Sequence, residues 1–423
     1  MGQRVLPLLI ITVILLLVDW YIYKALLTFN KKHPAERKKT FPAIYWGYSA
    51  LLILGVFASI YLNIKLNLRA VTLVAFVLSF VAKIFYLPFL FTDDIRRFFI
   101  SKKKKREAVQ SAIETPELTQ QEVDFNKIPR SEFILKTGLA VAAIPFATLG
   151  WGIVSGAYDY QIKRRTLYLK NLPKAFEGIR LAQISDVHSG SFYNRKAVLG
   201  GVEELLGEKP DFIFFTGDLV NGRASEMRDY QDIFTKVKAP LGVYSILGNH
   251  DYGDYYFGPY PSPAKEKNLA DLIQTHKNMG WDILLNENRS LKVDGEELAI
   301  IGVENWGAGA RFPKKANLNK ALVGAEDKEV KLLLSHDPTH WRAHVLNHPD
   351  INATFSGHTH GMQFGVRMEE FQWSPVQYIY KEWAGFYEEH NQHLYVNVGY
   401  GFLGYPGRVG ILPEITIFEL KRA

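Results

Sequence analysis

Long apolar runs alternate with charged segments in the first third of the chain. The runs Val5–Tyr23, Phe41–Leu62 and Ala70–Phe91 contain almost no charged residues. Each has about the length of a membrane-spanning helix, which needs roughly 20 apolar residues. Trp and Tyr lie near several of their ends, where the headgroup region favours them. The pattern predicts three membrane spans.

A fourth run, Thr137–Tyr158, is rich in Ala and Gly and contains Pro145. It fits a fourth span, because a charged stretch ends just before it and Lys163, Arg164 and Arg165 follow. It also fits a buried helix or a linker packed on a folded domain. We favour the span, and the sequence leaves both interpretations open.

Beyond this run the apolar segments become short, and Gly, Asp or Asn bounds most of them, as in buried strands. The predicted strands are Ile179–Ile184, Phe212–Phe215, Gly242–Leu247, Leu298–Val303, Val330–Leu334, Ala353–Phe355, His393–Val398 and Glu414–Leu420, with a helix at Ala197–Leu206. We therefore expect an N-terminal all-α transmembrane region followed by a C-terminal α/β domain.

Basic residues concentrate in two of the three loops between the spans. The first loop holds Lys31, Lys32, Arg37, Lys38 and Lys39, the second holds Lys65 and Arg69, and the third holds Arg96, Arg97 and the basic run 102–106. Cytoplasmic loops are the basic ones. The first and third loops are then cytoplasmic, and a spanning fourth run carries the α/β domain to the outside. If that run does not cross, the domain is cytoplasmic.

The segment Pro129–Lys136 points in the same direction. It resembles a twin-arginine export motif in which Ser131 stands in place of the second arginine. Because the segment is internal, it would act as an anchor and not as a cleaved leader.

Composition adds two restrictions. The net charge of +7 comes largely from the loops, so it gives no case for a nucleic-acid partner. The chain has no cysteine, which excludes disulfides and thiolate metal sites.

Five short polar motifs follow in order along the α/β region, and most come directly after a predicted strand. They are Asp186-Val187-His188, Gly217-Asp218, Gly248-Asn249-His250-Asp251, His336, and Gly357-His358-Thr359-His360. Carboxylate and amide oxygens and imidazole nitrogens bind metals, and strand ends that converge on one rim can bring them together. Two cations about 3.5–4 Å apart need a bridging carboxylate and several further ligands. The motifs predict a two-metal centre.

In type, order and context these motifs resemble the calcineurin-like metallophosphoesterase superfamily, from about Arg164 to the C terminus. The resemblance implies an αββα sandwich of two sheets with the metals at the strand ends. It also implies that one metal is bound by Asp186, His188 and His360, that the other is bound by Asn249, His336 and His358, and that Asp218 bridges them. This mixed oxygen and nitrogen set suits two divalent ions of Mn, Fe or Zn more than Ca or Mg.

The resemblance further implies that a water between the metals attacks phosphorus in line. His250 would stabilise the transition state and protonate the leaving oxygen, and Asp251 would orient His250 or tune its charge. Arg408, in a glycine-rich ending, either binds a substrate phosphate or braces its own loop. Met362 stands where bacterial relatives more often have Gly, which leaves the detail of the pocket open. His340 and the other histidines outside the motifs are expected at the surface.

Two further features allow two interpretations each. Aromatic residues crowd the stretches Tyr252–Tyr260 and Phe364–Tyr387, either as loop packing or as a lip near the bilayer that admits a lipid-linked phosphoester. Asp19 and Lys83 lie at similar depths in spans one and three. They either contact each other or reach separately toward the headgroups.

We therefore expect a membrane-anchored phosphodiesterase or phosphatase in a multi-pass bacterial inner membrane, with its catalytic domain on the periplasmic side. The predicted divisions are 1–92 for three transmembrane helices, 93–132 for a basic, polar cytoplasmic linker, 133–158 for the fourth anchor and 159–423 for the metallophosphoesterase domain. The expected partners are a phosphoester substrate, with a lipid-linked one as a candidate, and the bilayer. The alternatives are a non-catalytic binding or regulatory membrane protein that keeps this fold, and a transporter.

Overall fold

The computed structural model describes residues 2–30, 35–62, 66–114, 129–368 and 370–423. Contacts divide the chain into two units, Met1–Gly150 and Trp151–Ala423. Parts of the predicted first and second loops and of the linker 93–132 lie outside the described residues. The finer division of the chain given above stays a prediction.

Four long apolar helices make up the N-terminal region, as the sequence predicts. They are α1 (Gly2–Asn30), α2 (Ala35–Tyr61), α3 (Leu66–Glu114) and α4 (Glu132–Val154). Within and just beyond them, Ile10–Thr28, Thr40–Ser59, Val71–Glu107 and Glu132–Tyr158 are long and apolar enough to cross a membrane. Side chains such as Leu17, Leu51 and Val71 are more than half exposed, which suits a surface that faces lipid.

Helix α3 is longer than the third predicted span. It continues past Phe91 and through the basic run to Glu114. Lys, Arg, Glu and Ala all have high helix propensity, and a Lys103–Glu107 pair at 3.7 Å adds a small i,i+4 contribution. The charged residues therefore extend the helix instead of ending it.

A buried polar group lies among these helices. Asp19 on α1 is 2% exposed and forms an ion pair with Lys83 on α3. Ser49 and Tyr45 on α2 donate hydrogen bonds to the Asp19 carboxylate. The hypothesised Asp19–Lys83 contact is confirmed. These four residues are called the membrane cluster below.

A second ionic network joins the end of the third span to the start of α4. The Arg130 guanidinium lies 3.5 Å from the Asp93 carboxylate and 3.1 Å from that of Asp94. The Ser131 amide donates to Asp93 at 3.0 Å. In this structure Arg130 is engaged by two carboxylates, and its part in an export motif stays a prediction.

The C-terminal unit consists of two mixed six-stranded sheets with helices outside them. One sheet has the strand order β1 (Gln161–Leu169), β14 (Glu414–Arg422), β2 (Arg180–Ile184), β3 (Phe212–Phe215), β4 (Val243–Ser245) and β5 (Asp282–Ile283). The other has β12 (Gly385–Glu389), β13 (Gln392–Val396), β9 (Ala353–Ser356), β8 (Lys331–Leu334), β7 (Glu296–Gly302) and β6 (Glu287–Val293). Strands β10 (Val366–Arg367) and β11 (Gln372–Trp373) form a small hairpin.

Strand β3 explains the layering. Its side chains alternate, so that Phe212 and Phe214 join the core between the two sheets while Ile213 and Phe215 join the core under the helices. A third core packs the outer face of the second sheet. The helices of this unit are α5 (Arg195–Gly207), α6 (Gln231–Phe234), α7 (Asp254–Phe257), α8 (Pro263–Asn278), α9 (Leu318–Leu322) and α10 (Thr339–Ala343). The predicted αββα sandwich is confirmed.

Candidate metal centre

The predicted ligands come from the ends of five strands in both sheets. Strands β2, β3 and β4 are parallel, and so are β7, β8 and β9. Asp186, Asp218 and Asn249 follow the first three strands, while His336 and His358 follow β8 and β9. The backbone amide of His358 donates to both oxygens of Asp186 at 3.0 Å, which links the two sheets at this rim.

The backbone at these ligands is unusual. Five of the seven adopt left-handed φ angles: Asp186 (52°), His188 (47°), Asp218 (60°), His358 (74°) and His360 (51°). Such conformations cost about 1–3 kcal/mol each for residues other than Gly and concentrate at functional sites. All five of these side chains belong to the two groups of ligand atoms described next.

Two groups of potential ligand atoms result. Asp186, His188 and His360 form one group, and Asp218, His336 and His358 form the other, with the atoms of each group within 4.8 Å of one another. One oxygen of Asp218 lies 3.5 Å from His188 Nε2 and 3.2 Å from His336 Nε2. Asp218 therefore stands between the groups, where a bridging carboxylate would be.

Asn249 lies beside the second group of ligand atoms, that of Asp218, His336 and His358. Its side-chain oxygen is 2.9 Å from His358 Nδ1 and 3.2 Å from His336 Nε2. His336 Nδ1 lies 2.7 Å from the Thr216 carbonyl oxygen and must donate to it, because that oxygen only accepts. His336 Nε2 is then free to bind a metal.

The imidazole nitrogens fit a metal. His188 Nε2 and His360 Nε2 are buried and have no hydrogen-bond partner in the described part of the chain, although unpaired buried polar atoms are costly. Burial lowers the pKa of His188 to about 3 and that of His358 to about 4. The His188 and His358 rings are therefore neutral, as metal ligands must be. At His336 burial acts in the same direction, but the Asp218 carboxylate outweighs it and raises the pKa to about 10, so a metal there would displace a proton. The donor set suits two divalent cations, and the metal itself is not identified by it.

Two motif glycines are required by this close packing. A Cβ on Gly248 would lie 2.2 Å from an Asp218 oxygen, and one on Gly357 would lie 2.2 Å from an Asp186 oxygen. Any larger residue at either position would displace a predicted ligand.

His250 lies beside the ligands and is partly exposed. Its Nδ1 is 2.9 Å from the Asn221 carbonyl oxygen, so Nδ1 carries a proton and Nε2 is left for other contacts. The ring stacks on Tyr255 at 4.1 Å and meets the His188 ring edge-on at 4.9 Å. These contacts fix the ring next to the centre.

The side chain of Asp251 contacts the backbone near Asp218. Its buried carboxylate accepts hydrogen bonds from four backbone amides, those of Asp218, Leu219, Val220 and Gly248, at 2.9–3.2 Å. These bonds hold the turn that carries Asp218. The carboxylate is thus placed to orient Asp218, and its predicted effect on His250 stays a prediction.

The buried position of Arg408 favours the second of its two interpretations. The residue is 1% exposed, and its guanidinium donates to the carbonyls of Gly401, Val398 and Ile411 at 2.8–3.3 Å. It also lies 3.3 Å from His360 Nδ1. Arg408 braces its loop against the metal centre and offers no exposed donor to a phosphate.

Asp337, Tyr380 and Tyr255 were missed as site residues. An Asp337 oxygen lies 3.5 Å from His358 Nε2, and the Tyr380 hydroxyl is 2.8 Å from the same nitrogen. The Asn249 amide donates to the Tyr255 hydroxyl at 3.1 Å. A carboxylate next to a ligand histidine in sequence was the one signal for Asp337. The two tyrosines lie within the aromatic stretches already noted.

In the two aromatic stretches, some side chains pack inside the domain and others lie at its surface. Tyr252 and Trp383 are buried and pack in the core, whereas Tyr256, Phe371 and Tyr378 are more than half exposed. The surface interpretation is wrong for two histidines outside the motifs. His276 is 0% exposed, with Nδ1 3.0 Å from the Ser245 hydroxyl. His340 is 2% exposed because it packs beside Trp306, with Nδ1 2.9 Å from the Ser335 hydroxyl.

Comparisons with known proteins agree with both units. Residues 179–362 match the family model of the calcineurin-like phosphoesterases, and residues 3–157 match that of a probable calcineurin-like phosphoesterase transmembrane domain. The "Uncharacterized metallophosphoesterase YkuE" of Bacillus subtilis (strain 168) is 27% identical over 305 residues, which cover 70% of this chain and 99% of YkuE.

The "Transmembrane protein with metallophosphoesterase domain" of Danio rerio is also 27% identical, over 281 residues that cover 64% of this chain. The match spans only 60% of that relative's length. A solved dimetal phosphatase from Danio rerio has a TM-score of 0.34 at 12% identity, covering 58% of this chain and 93% of that one, and a score this low supports no functional argument. The two family matches and the fold show that the chain carries a four-helix transmembrane domain ahead of a calcineurin-like phosphoesterase domain.

Proposed function

We propose that this protein is a membrane-anchored hydrolase that cleaves phosphoesters at the metal centre, with Asp186, His188, Asp218, Asn249, His336, His358 and His360 as ligands of two divalent ions of Mn, Fe or Zn. We base this on one observation above all. Buried carboxylates and unpaired imidazole nitrogens converge at one rim, next to the partly exposed His250. A bound metal pair supplies Lewis acidity and an acidified water.

The protein's own groups have separate tasks in this proposal. Asp218 lies between the two ligand groups and holds them at a fixed spacing. Asp251 fixes the turn of Asp218 through backbone amides, and Asp337 with Tyr380 fixes the ring of His358. Such fixed groups stabilise a transition state without having to reorganise during the reaction.

His250 transfers the proton. The Asn221 carbonyl keeps one proton on Nδ1, so the proton given to the leaving oxygen is a second one, carried on Nε2 of the doubly protonated ring, which returns to its neutral form as it donates. Stacking on Tyr255 limits rotation of the ring. The His250 ring is partly exposed at the rim of the centre.

We further propose that the substrate lies at the membrane surface. Exposed apolar side chains directly follow the last ligand motif: Met362, Phe364, Val366, Met368, Phe371, Tyr378 and Ile379 are each at least 40% exposed. This set is called the apolar apron below. A cluster of exposed apolar side chains of this kind commonly marks an interaction surface.

The apron is joined to the point where the chain enters the C-terminal unit. Phe364 pairs with Val409 in an isolated β-bridge, and the amide of the adjacent Arg408 donates to the Gly152 carbonyl at 3.1 Å. Gly152 belongs to the last turns of α4, where Trp151 and Val154 are 70% and 84% exposed. The apron thus adjoins the residues by which the chain enters the C-terminal unit, and its exposed apolar side chains are the surface that a lipid-linked phosphoester would contact.

The function is tested with full-length protein in detergent, using an aryl phosphodiester and an aryl phosphomonoester with added Mn, Fe or Zn. We expect hydrolysis of at least one ester that needs metal and falls sharply in His250→Ala. Tight metal binding without turnover of either ester would favour the non-catalytic alternative.

The membrane substrate is tested with a matched pair, an aryl phosphodiester bearing an acyl chain in phosphatidylcholine vesicles and the same ester without the chain. Phe371→Gln should reduce turnover of the embedded ester and spare the soluble one. Val323→Gln, at an apolar position that is 68% exposed and outside the apron, is the control. Equal loss on both esters would contradict the membrane substrate.

The proposal includes a bacterial inner membrane as the location, and the loop charges support a periplasmic catalytic domain. Because the chain has no cysteine, introduced cysteines report topology. Lys103→Cys should resist an impermeant thiol reagent in intact cells and Lys267→Cys should react, since the two lysine side chains are 80% and 75% exposed. The reverse pattern would put the domain in the cytoplasm.

A further inference from the structure

The loop between β7 and β8 carries a basic segment that closes against the metal centre. The Ala308 amide donates to the Thr339 hydroxyl at 2.9 Å, and the Asn305 side chain donates to the Pro313 carbonyl at 3.1 Å. Gly307 packs so closely that a Cβ there would lie 2.4 Å from an Asp337 oxygen. The loop is therefore anchored to the segment that follows His336.

Phe312 brings this loop to a ligand. Its ring meets the His358 ring edge-on, with 5.0 Å between the ring centroids. The guanidinium carbon of Arg311 lies 5.1 Å from the Phe312 centroid. A positive charge thus lies one aromatic ring away from a predicted metal ligand.

Two tyrosines border the same ligand group. The Tyr255 hydroxyl accepts from the Asn249 amide at 3.1 Å, and the Tyr380 hydroxyl lies 2.8 Å from His358 Nε2. Arg311, which contacts Phe312 as Phe312 contacts His358, therefore lies at the rim of this second ligand group.

Arg311 differs from Arg408 because its side chain is exposed to solvent. It is exposed, and no carboxylate of the described residues forms an ion pair with it. Arg408 is buried and its donors face backbone carbonyls. Of these two arginines, only Arg311 presents an uncommitted guanidinium beside the centre.

We propose that Arg311 binds the phosphate of the substrate, through the oxygens that neither attack nor leave. The assignment rests on the proposed phosphoesterase function and adds the group that binds the substrate anion. A planar guanidinium matches two phosphate oxygens, and charge-assisted hydrogen bonds of this type are stronger than neutral ones. The edge-on contact of Phe312 with His358 limits the motion of the loop that carries Arg311.

The test compares Arg311→Gln with wild type in full-length, metal-loaded protein, with Lys314→Gln as a matched change of charge in the same loop. Inorganic phosphate is titrated by calorimetry, and KM and kcat are measured for the aryl phosphoester that is cleaved. We expect the Kd for phosphate and the KM to rise about tenfold in Arg311→Gln, with kcat within about twofold and unchanged metal content. Arg311→Lys should restore part of the phosphate affinity, and Lys314→Gln should bind phosphate as wild type does.

Two results would overturn the assignment. One is unchanged phosphate affinity in Arg311→Gln with its metals in place. The other is a loss of phosphate affinity that Lys314→Gln reproduces, because it would reflect the general charge of the loop. If the wild-type protein cleaves neither ester, the hydrolase proposal fails, and the phosphate titration still decides on Arg311.

Discussion

Two buried groups of polar side chains differ in how their charge is balanced. In the membrane cluster one carboxylate, Asp19, meets one ammonium group, Lys83, and two hydroxyl donors. In the metal centre, Asp186 and Asp218 are buried just as deeply, and no lysine or arginine of the described residues forms an ion pair with either.

The comparison separates a structural cluster from a binding site. A buried charge is costly unless it is paired, and the membrane cluster pairs its charge within the protein. The metal centre surrounds its carboxylates with histidines, and the Nε2 atoms of His188 and His360 have no hydrogen-bond partner in the described part of the chain. Such a group is completed by cations from outside, so the balance of charge indicates which cluster binds a ligand.

Removal of metal should have the largest effect. We expect a chelator to abolish turnover of the full-length protein and to lower its melting temperature, with recovery on adding metal. A single site at about 100 times its Kd contributes about 2.7 kcal/mol to the free energy of unfolding. A metal-free protein with unchanged melting temperature and turnover would contradict the comparison.

Loss of the proton donor should have the next largest effect. His250→Ala should lower kcat by about 10²–10⁴-fold and leave the metal content unchanged, because no ligand is removed. The exposed His390→Ala serves as the control. A His250→Ala protein that has lost its metals would instead make His250 a ligand.

A moderate effect is expected from Asp337→Asn. Its carboxylate lies 3.5 Å from the nitrogen of His358 that faces away from Asn249, and groups in that position typically change metal affinity by about 10–100-fold. The change in metal affinity is measured by letting the protein and a chelator compete for the metal. Asp327→Asn, with a side chain that is 73% exposed, should leave metal affinity as it is in wild type.

The smallest effect concerns the membrane cluster. A double-mutant cycle of Asp19→Asn and Lys83→Met, read from stability in detergent, should give a coupling of about 0.6–1.7 kcal/mol, the range for polar pairs between membrane helices. Turnover of a soluble ester should be unaffected. Coupling near zero would mean that the pair adds nothing to stability.

Much of the site could be predicted because it lies in local sequence. Phe212–Phe215 was predicted with the bounds observed, and the ligand motifs directly follow strands whose order the family resemblance supplies. The burial of Arg408 could not be predicted, since it depends on contacts with chain segments that approach only in the folded domain. The same holds for Asp251 and for the loop of Arg311. Helix α3 continues beyond Phe91, the predicted end of the third span, because the charged residues that follow also favour a helix in water.

The number of metal ions bound per chain tests the central claim most directly. Full-length protein, freed of metal and reloaded, is analysed for bound divalent ions as wild type, Asp218→Ala and Asp19→Asn. We predict two ions in wild type and in Asp19→Asn, and fewer than one in Asp218→Ala, in which the carboxylate between the ligand groups is lost. Two ions retained by Asp218→Ala would contradict the account.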